Sequence, residues 1–320
     1  MSTRADSQSA PIAVAAIGGT ALTRDGHPDT IAEQFRDTDE VCTQFCGLLD
    51  DGYRLVVCHG NGPQVGKAIL RVEATPQLTQ LPLDICVADT EGGMGYMIQQ
   101  VIGNRLSTTT RRAVTVVTQV LVAPDDPAFS NPTKPVGPFY SEREAEDRRR
   151  QLGWNIVADS GRGFRRIVPS PRPREIIELP AIEALLAAGH IPIACGGGGV
   201  PVVRDARGLL HGVAAVIDKD RAAALLASQL GASLLLLCTG VPSVFLNFGK
   251  ASAQPLRRLD AATAARHLAE GQFPPGSMGP KMEAALDFLA SGGKEVLITS
   301  PEALAEARAG REGTRIVRSL

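Results

Sequence analysis

Short runs of aliphatic and β-branched residues alternate along the chain with stretches whose apolar positions recur at helical spacing. The runs at 12–17, 54–59, 113–122, 191–195, 233–239 and 295–299 read as strands. The segments near 30–50, 63–73, 84–106, 174–188, 218–230, 260–269 and 280–291 read as helices. Strands separated by helices need crossover connections, so the pattern predicts an α/β fold built on a parallel sheet. Leu234-Leu235-Leu236-Leu237 and the stretch from Val114 to Val122 have the composition of strands buried on both faces.

One segment breaks this rhythm. Between 124 and 173 the chain is rich in proline and charge, with a short helix expected at 142–151 and strands at 154–158 and 164–168. Phe139, Trp154 and Phe164 could give it a small core, so it reads as a protruding subdomain inserted in a domain spanning 11–320. Residues 1–10 are polar and read as a frayed tail.

Composition narrows the function. With 320 residues and a net charge of −1, the chain can bury a full core but has no global field for nucleic acid or an anionic membrane. A phosphate site must therefore be built locally. An aromatic content of 4% argues against stacking platforms for single strands. No apolar run is long enough to span a bilayer, and the amino terminus has no signal-peptide core, so the cytoplasm is expected. Cys58, Cys195 and Cys238 fall in apolar runs; Cys42 and Cys46 have helical spacing but no second ligand pair follows. The thiols read as reduced and structural, and no metal site is expected.

Three glycine-rich turns directly follow expected strands: Gly18-Gly19-Thr20, Gly60-Asn61-Gly62 and Gly196-Gly197-Gly198-Gly199. Ligands of open parallel sheets bind at the carboxyl ends of strands. Glycine there lets backbone N–H groups approach an anion, helped by the following helix terminus. Neither a Walker loop nor a dinucleotide fingerprint fits: Asn61 and Ala68 stand where the former needs glycine and a hydroxyl. Three lysines sit in rigid or glycine-rich settings at element boundaries. They are Lys134 between prolines, Lys219 between Asp218 and Asp220, and Lys281 after Gly276-Ser277-Met278-Gly279-Pro280. Phosphoryl transfer needs in-line positioning and charge neutralisation more than covalent chemistry, and Asp220 could orient two of these lysines.

These same residues carry a resemblance. His59-Gly60-Asn61-Gly62-Pro63-Gln64-Val65-Gly66, Asn131-Pro132-Thr133-Lys134-Pro135, Val216-Ile217-Asp218-Lys219-Asp220 and Gly276–Lys281 occur in the order found in carbamate kinases, and the likeness extends over roughly 12–317. The chain thus resembles carbamate kinase of the amino-acid kinase superfamily. That resemblance implies a three-layer αβα sandwich, a homodimer, and reversible phosphoryl transfer between ATP and carbamate, with ADP and Mg²⁺. It implies that Lys219 and Lys281 contact nucleotide phosphates, with Asp220 organising them, and that Lys134 closes over the acid phosphate. Gly18, Gly19, Thr20, Gly60, Asn61, Gly62, Glu91 and Gly92 would line the phosphate and acid sites. Thr239, Gly240, Phe248, Met278 and Gly279 would border the nucleotide. The family pattern usually has asparagine at 20, glutamine at 91, and aspartates at 240 and 242, where this chain has Thr20, Glu91, Gly240 and Pro242. Glu91 would place a negative charge beside the anion site. A kinase for another small acid, or a ligand-sensing relative without turnover, would share these features.

Overall fold

A computed structural model describes residues 10–19, 30–158, 163–274 and 276–320. The expected tail, apart from Ala10, lies outside them, as does Thr20. The central sheet has eight strands in the spatial order 258–260, 314–317, 295–299, 234–238, 12–17, 54–59, 191–193, 113–115. All neighbours are parallel except 295–299 with 314–317.

The two faces of the sheet fill two separate cores. Val14, Ala16, Val56, Cys58, Leu235, Leu237, Val296 and Ile298 point to one side. There they pack with apolar residues of the helices Leu179–Ala187, Lys219–Gln229 and Met278–Ala290. Ala13, Ala15, Ile17, Leu55, Val57, Leu234, Leu236 and Leu297 point to the other, against helices Ile31–Asp50 and Leu83–Arg105. Both faces are covered, so the strands carry apolar residues at successive positions instead of alternating. The result is the three-layer αβα sandwich.

The stretch expected to form one strand at 113–122 forms two. Ala113–Thr115 joins the central sheet, whereas Gln119–Val122 joins a four-stranded sheet with 173–176, 200–204 and 210–212. The chain leaves one sheet for the other at 116–118, a change marked in the sequence only by the polar pair Thr118-Gln119. Likewise 174–188 is not all helix: Pro173–Ile176 is a strand and the helix begins at Leu179. The proline-rich segment carries a three-stranded antiparallel sheet, 134–140, 164–168 and 156–158, beside helix Glu142–Leu152. Trp154 and Phe164 pack against Tyr140, Ala145 and Ile156. Phe139 lies exposed outside that cluster, with the Arg165 guanidinium over its ring.

Candidate active site

The strands 12–17, 54–59 and 191–193 run parallel and end nearly level, Ile17 beside His59 and Val57 beside Ile193. Their carboxyl ends therefore bring the glycine turns together around one cavity of about 240 Å³. Gly18, Gly19, Gly60, Asn61, Gly62 and Gly197 line it with Lys134, Lys219, Asp220 and Lys281. Close packing explains the glycines. A Cβ on Gly60 would stand 2.8 Å from Lys219 Cδ and 3.0 Å from the Gly19 nitrogen, so a side chain would displace the lysine stem.

Lys219 opens helix Lys219–Gln229, and the Asp218 carboxylate caps that helix by accepting from the Asp220 N–H at 2.9 Å. Asp220 is buried. Its two oxygens accept from Lys219 Nζ at 2.6 Å and Lys281 Nζ at 2.8 Å. Burial alone would raise its carboxyl; the two ammonium groups outweigh it and hold the pKa below 3.8. Lys219 is likewise opposed by burial but held up by Asp220 and Asp218. Lys281 is pulled below 10.5 by burial and then by the Lys219 charge.

Lys134 reaches the same place from the three-stranded sheet. Its strand pairs Lys134 with Val168, and Val216 N–H donates to Pro169 O at 3.0 Å, tying that sheet to the approach of the 219–229 helix. Lys134 Nζ donates to Asp218 Oδ2 at 3.1 Å and to Ile217 O at 3.3 Å. Asp218, missed as a site residue in the sequence, thus caps a helix and holds a lysine at once. Its carboxyl, which burial would raise, is driven far down by Lys134 and Lys219. Three ammonium groups face two carboxylates across the cavity. The surplus positive charge, beside a helix N-terminus, suits an anion.

A second, apolar cavity of about 170 Å³ adjoins the first and shares Ser277 with it. Thr239, Phe248 and Met278 line it with Val241, Phe245, Phe273 and Pro274. The rings of Phe245 and Phe248 are 5.9 Å apart, centroid to centroid. Gly240 is exposed, and Gly279 shapes the turn below by donating its N–H to Pro274 O at 2.8 Å.

Gly240 and Gly279 adjoin residues of the apolar cavity without lining it, and two further expected residues fall elsewhere. Gly92 is exposed on helix Leu83–Arg105. Glu91 is buried behind the tetraglycine loop and does not line the cavity; its Oε2 accepts from the Thr118 N–H at 2.7 Å. Burial pushes its carboxyl well above 4.5, with the Thr118 amide opposing. The expected carboxylate facing the anion site is not found there: the helix turns this side chain inward, behind the loop, where burial disfavours its charged form.

Comparison with known proteins decides the family. The amino acid kinase family model matches residues 11–300. A carbamate kinase-like protein of Escherichia coli is 46% identical, the alignment covering 96% of this chain and 99% of that protein. The chain belongs to the amino acid kinase family, among the carbamate kinases. The carbamate kinase of Thermococcus kodakarensis is 42% identical, with 95% and 98% of the two chains aligned. The structure of Giardia lamblia carbamate kinase bound to AMP-PNP superposes with a TM-score of 0.88 at 37% identity, over 97% and 99% of the chains. In this family context the paired cavities have a natural division, one charged and one apolar.

Proposed function

We propose that this chain transfers a phosphoryl group reversibly between ATP and carbamate, the charged cavity holding the phosphates and acid and the apolar one the adenosine. It is a phosphotransferase of the carbamate kinase type. The observation that carries the site reading is the buried Lys219–Asp220–Lys281 network with Lys134 set opposite it. Asp220 keeps two cations close together without a ligand, so the donors are in place before charge develops on the moving group. Lys134 belongs to the acid end and Met278 to the adenosine end.

Asp218 and Asp220 are each engaged by lysines, and among the described residues no cluster of three metal-ligating side chains occurs. Mg²⁺ is therefore proposed to arrive on the nucleotide, as the magnesium complex of ADP or ATP. A homodimer is proposed through the exposed apolar positions Ile85 and Tyr96 on helix Leu83–Arg105 and Val117 near the sheet edge; sedimentation at twice the chain mass is the expected result. Among the described residues no helix is long and apolar enough to cross a membrane. Residence in the cytoplasm is proposed on the six free cysteines, five of them buried.

The test is a coupled assay of ATP formation from carbamoyl phosphate and MgADP. Turnover is expected. A folded protein that binds MgADP but gives no ATP would overturn the carbamate reading.

A further inference from the structure

We infer that Glu91 is a positioning residue for the tetraglycine loop, acting through Thr118, which clamps both ends of that loop. Thr118 Oγ1 accepts from the Cys195 N–H at 3.0 Å and donates to Val116 O at 2.7 Å. The carbonyl of Thr118 accepts from the Val200 N–H at 2.8 Å. The loop between these two ties holds positive φ at Cys195 (53°), Gly197 (67°), Gly198 (99°) and Gly199 (85°). Glycine adopts such angles freely, so the strain falls on Cys195, whose left-handed backbone persists only where its surroundings over-determine it. Glu91 supplies the remaining tie, accepting the Thr118 N–H at 2.7 Å.

The loop reaches the anion cavity through Gly197, where an added Cβ would lie 2.2 Å from Asn61 Nδ2. Asn61 in turn donates from Nδ2 to Thr90 Oγ1 at 2.9 Å. Adjacent residues of one helix, Thr90 and Glu91, thus set two walls of the cavity without lining it themselves.

Burial disfavours the ionised carboxylate, so the side chain is held in place best in its neutral form. Oε1 has no hydrogen-bond partner among the described residues. Glu178 and Cys58 face the carboxyl, Cys195 lies near it, and His59 lies beside the Glu91 side chain, both meeting the place a Cβ on Gly196 would take. Burial lowers His59 to about 4, so it offers no positive charge at neutral pH. An ionised carboxylate there must draw in water or leave its place, releasing Thr118. The carboxyl's folded pKa is raised, so its contribution to stability is full below its ordinary value of 4.5 and is lost as pH rises through the raised one.

The test compares the parent with Glu91→Ala and Glu91→Gln. Only the rate readout rests on the carbamate kinase reading. For E91A we expect kcat/KM for carbamoyl phosphate to fall by roughly tenfold to a hundredfold, with KM for MgADP changed less than about twofold. Hydrogen exchange across 195–200 should accelerate. E91Q should restore both, and should lack the alkaline fall in rate expected of the parent. Its melting temperature should gain on the parent's as pH rises above the ordinary carboxylate range. Unchanged loop exchange in E91A, or an E91Q profile parallel to the parent's in rate and melting, overturns the inference. If the parent itself gives no turnover, the carbamate reading fails, while exchange and melting still decide the role of Glu91.

Discussion

Replacing Asp220 by asparagine removes the one carboxylate shared by two buried ammonium groups and keeps the shape of the side chain. Lys219 Nζ and Lys281 Nζ lie 2.6 and 2.8 Å from its two oxygens. The amide can still accept from one lysine, but it turns an NH₂ toward the other and cancels neither charge. Breaking a buried ion pair by removing one partner costs about 3–5 kcal/mol, because the remaining charge is left uncompensated. At about 2 °C per kcal/mol for a chain of this size, melting should drop by roughly 6–10 °C. The turnover rate should fall on the order of a hundred- to a thousand-fold, since the donors lose their arrangement before reaction. Inorganic phosphate supplies the discriminating measurement. It should raise the melting temperature of D220N more than that of the parent, because it restores negative charge between the lysines. The pH dependence has a definite sign. The Asp220 carboxyl is held below 3.8, so its contribution is full above that value and is lost as pH falls through the lowered one. The gap between parent and D220N should therefore close only in strong acid. A D220N protein melting within about 1 °C of the parent, or one stabilised by phosphate no more than the parent, would refute the argument.

Three further outcomes follow from the same geometry. Lys134→Ala should lower kcat about a hundred- to a thousand-fold while leaving MgADP affinity by calorimetry nearly unchanged, because Lys134, which meets Asp218 and Ile217, is proposed for the acid end. Gly60→Ala should lower kcat/KM by displacing the Lys219 stem, since the new Cβ would stand 2.8 Å from Lys219 Cδ; a steady-state assay checks this, and full activity would show that the stem can move freely. Met278→Asp places a carboxylate in the apolar cavity and should weaken MgADP binding by about tenfold or more while sparing KM for carbamoyl phosphate, as calorimetry and kinetics together would show.

What the sequence made legible follows from how local each signal is. Leu234-Leu235-Leu236-Leu237 declares a strand buried on both faces, because both core clusters draw residues from it alternately. Lys134, Lys219 and Lys281 stood out from other lysines through proline, acid and glycine neighbours, and the fold brings those three to one cavity. Signals that depend on the partner sheet were not local. The strands 200–204 and 210–212 contain proline, arginine and histidine and show little alternation, since they belong to a small sheet with exposed positions. In the 113–122 run the change of sheet coincides only with the polar pair Thr118-Gln119, too brief an interruption to mark a boundary locally. Asp218 was readable as a helix cap from Asp218-Lys219-Asp220, but its hold on Lys134 spans 84 positions in the chain and needs the fold.

The departures from the family pattern take on a different meaning once they are placed. Glu91, expected to repel an anion, lies behind the glycine loop instead of lining the cavity, and burial disfavours its charged form. Gly240 and Pro242 are exposed, and the Pro242 carbonyl accepts from Thr299 Oγ1 at 3.0 Å, which anchors the turn to the end of the neighbouring strand. The aspartates expected at 240 and 242 would therefore stand at a solvent-facing rim, where a charge is screened and contributes little. The cavity they would border draws its lining from Phe245, Phe248, Phe273 and Met278 instead. In the proposed reading, grip on the nucleotide base rests on apolar and aromatic contact there, and the charged half of the site owes nothing to those positions. Restoring aspartate at 240 should accordingly shift MgADP affinity by less than about threefold, a change that calorimetry at two salt concentrations would resolve. A larger, salt-sensitive gain would mean that the rim, and not the apolar cavity, governs nucleotide binding.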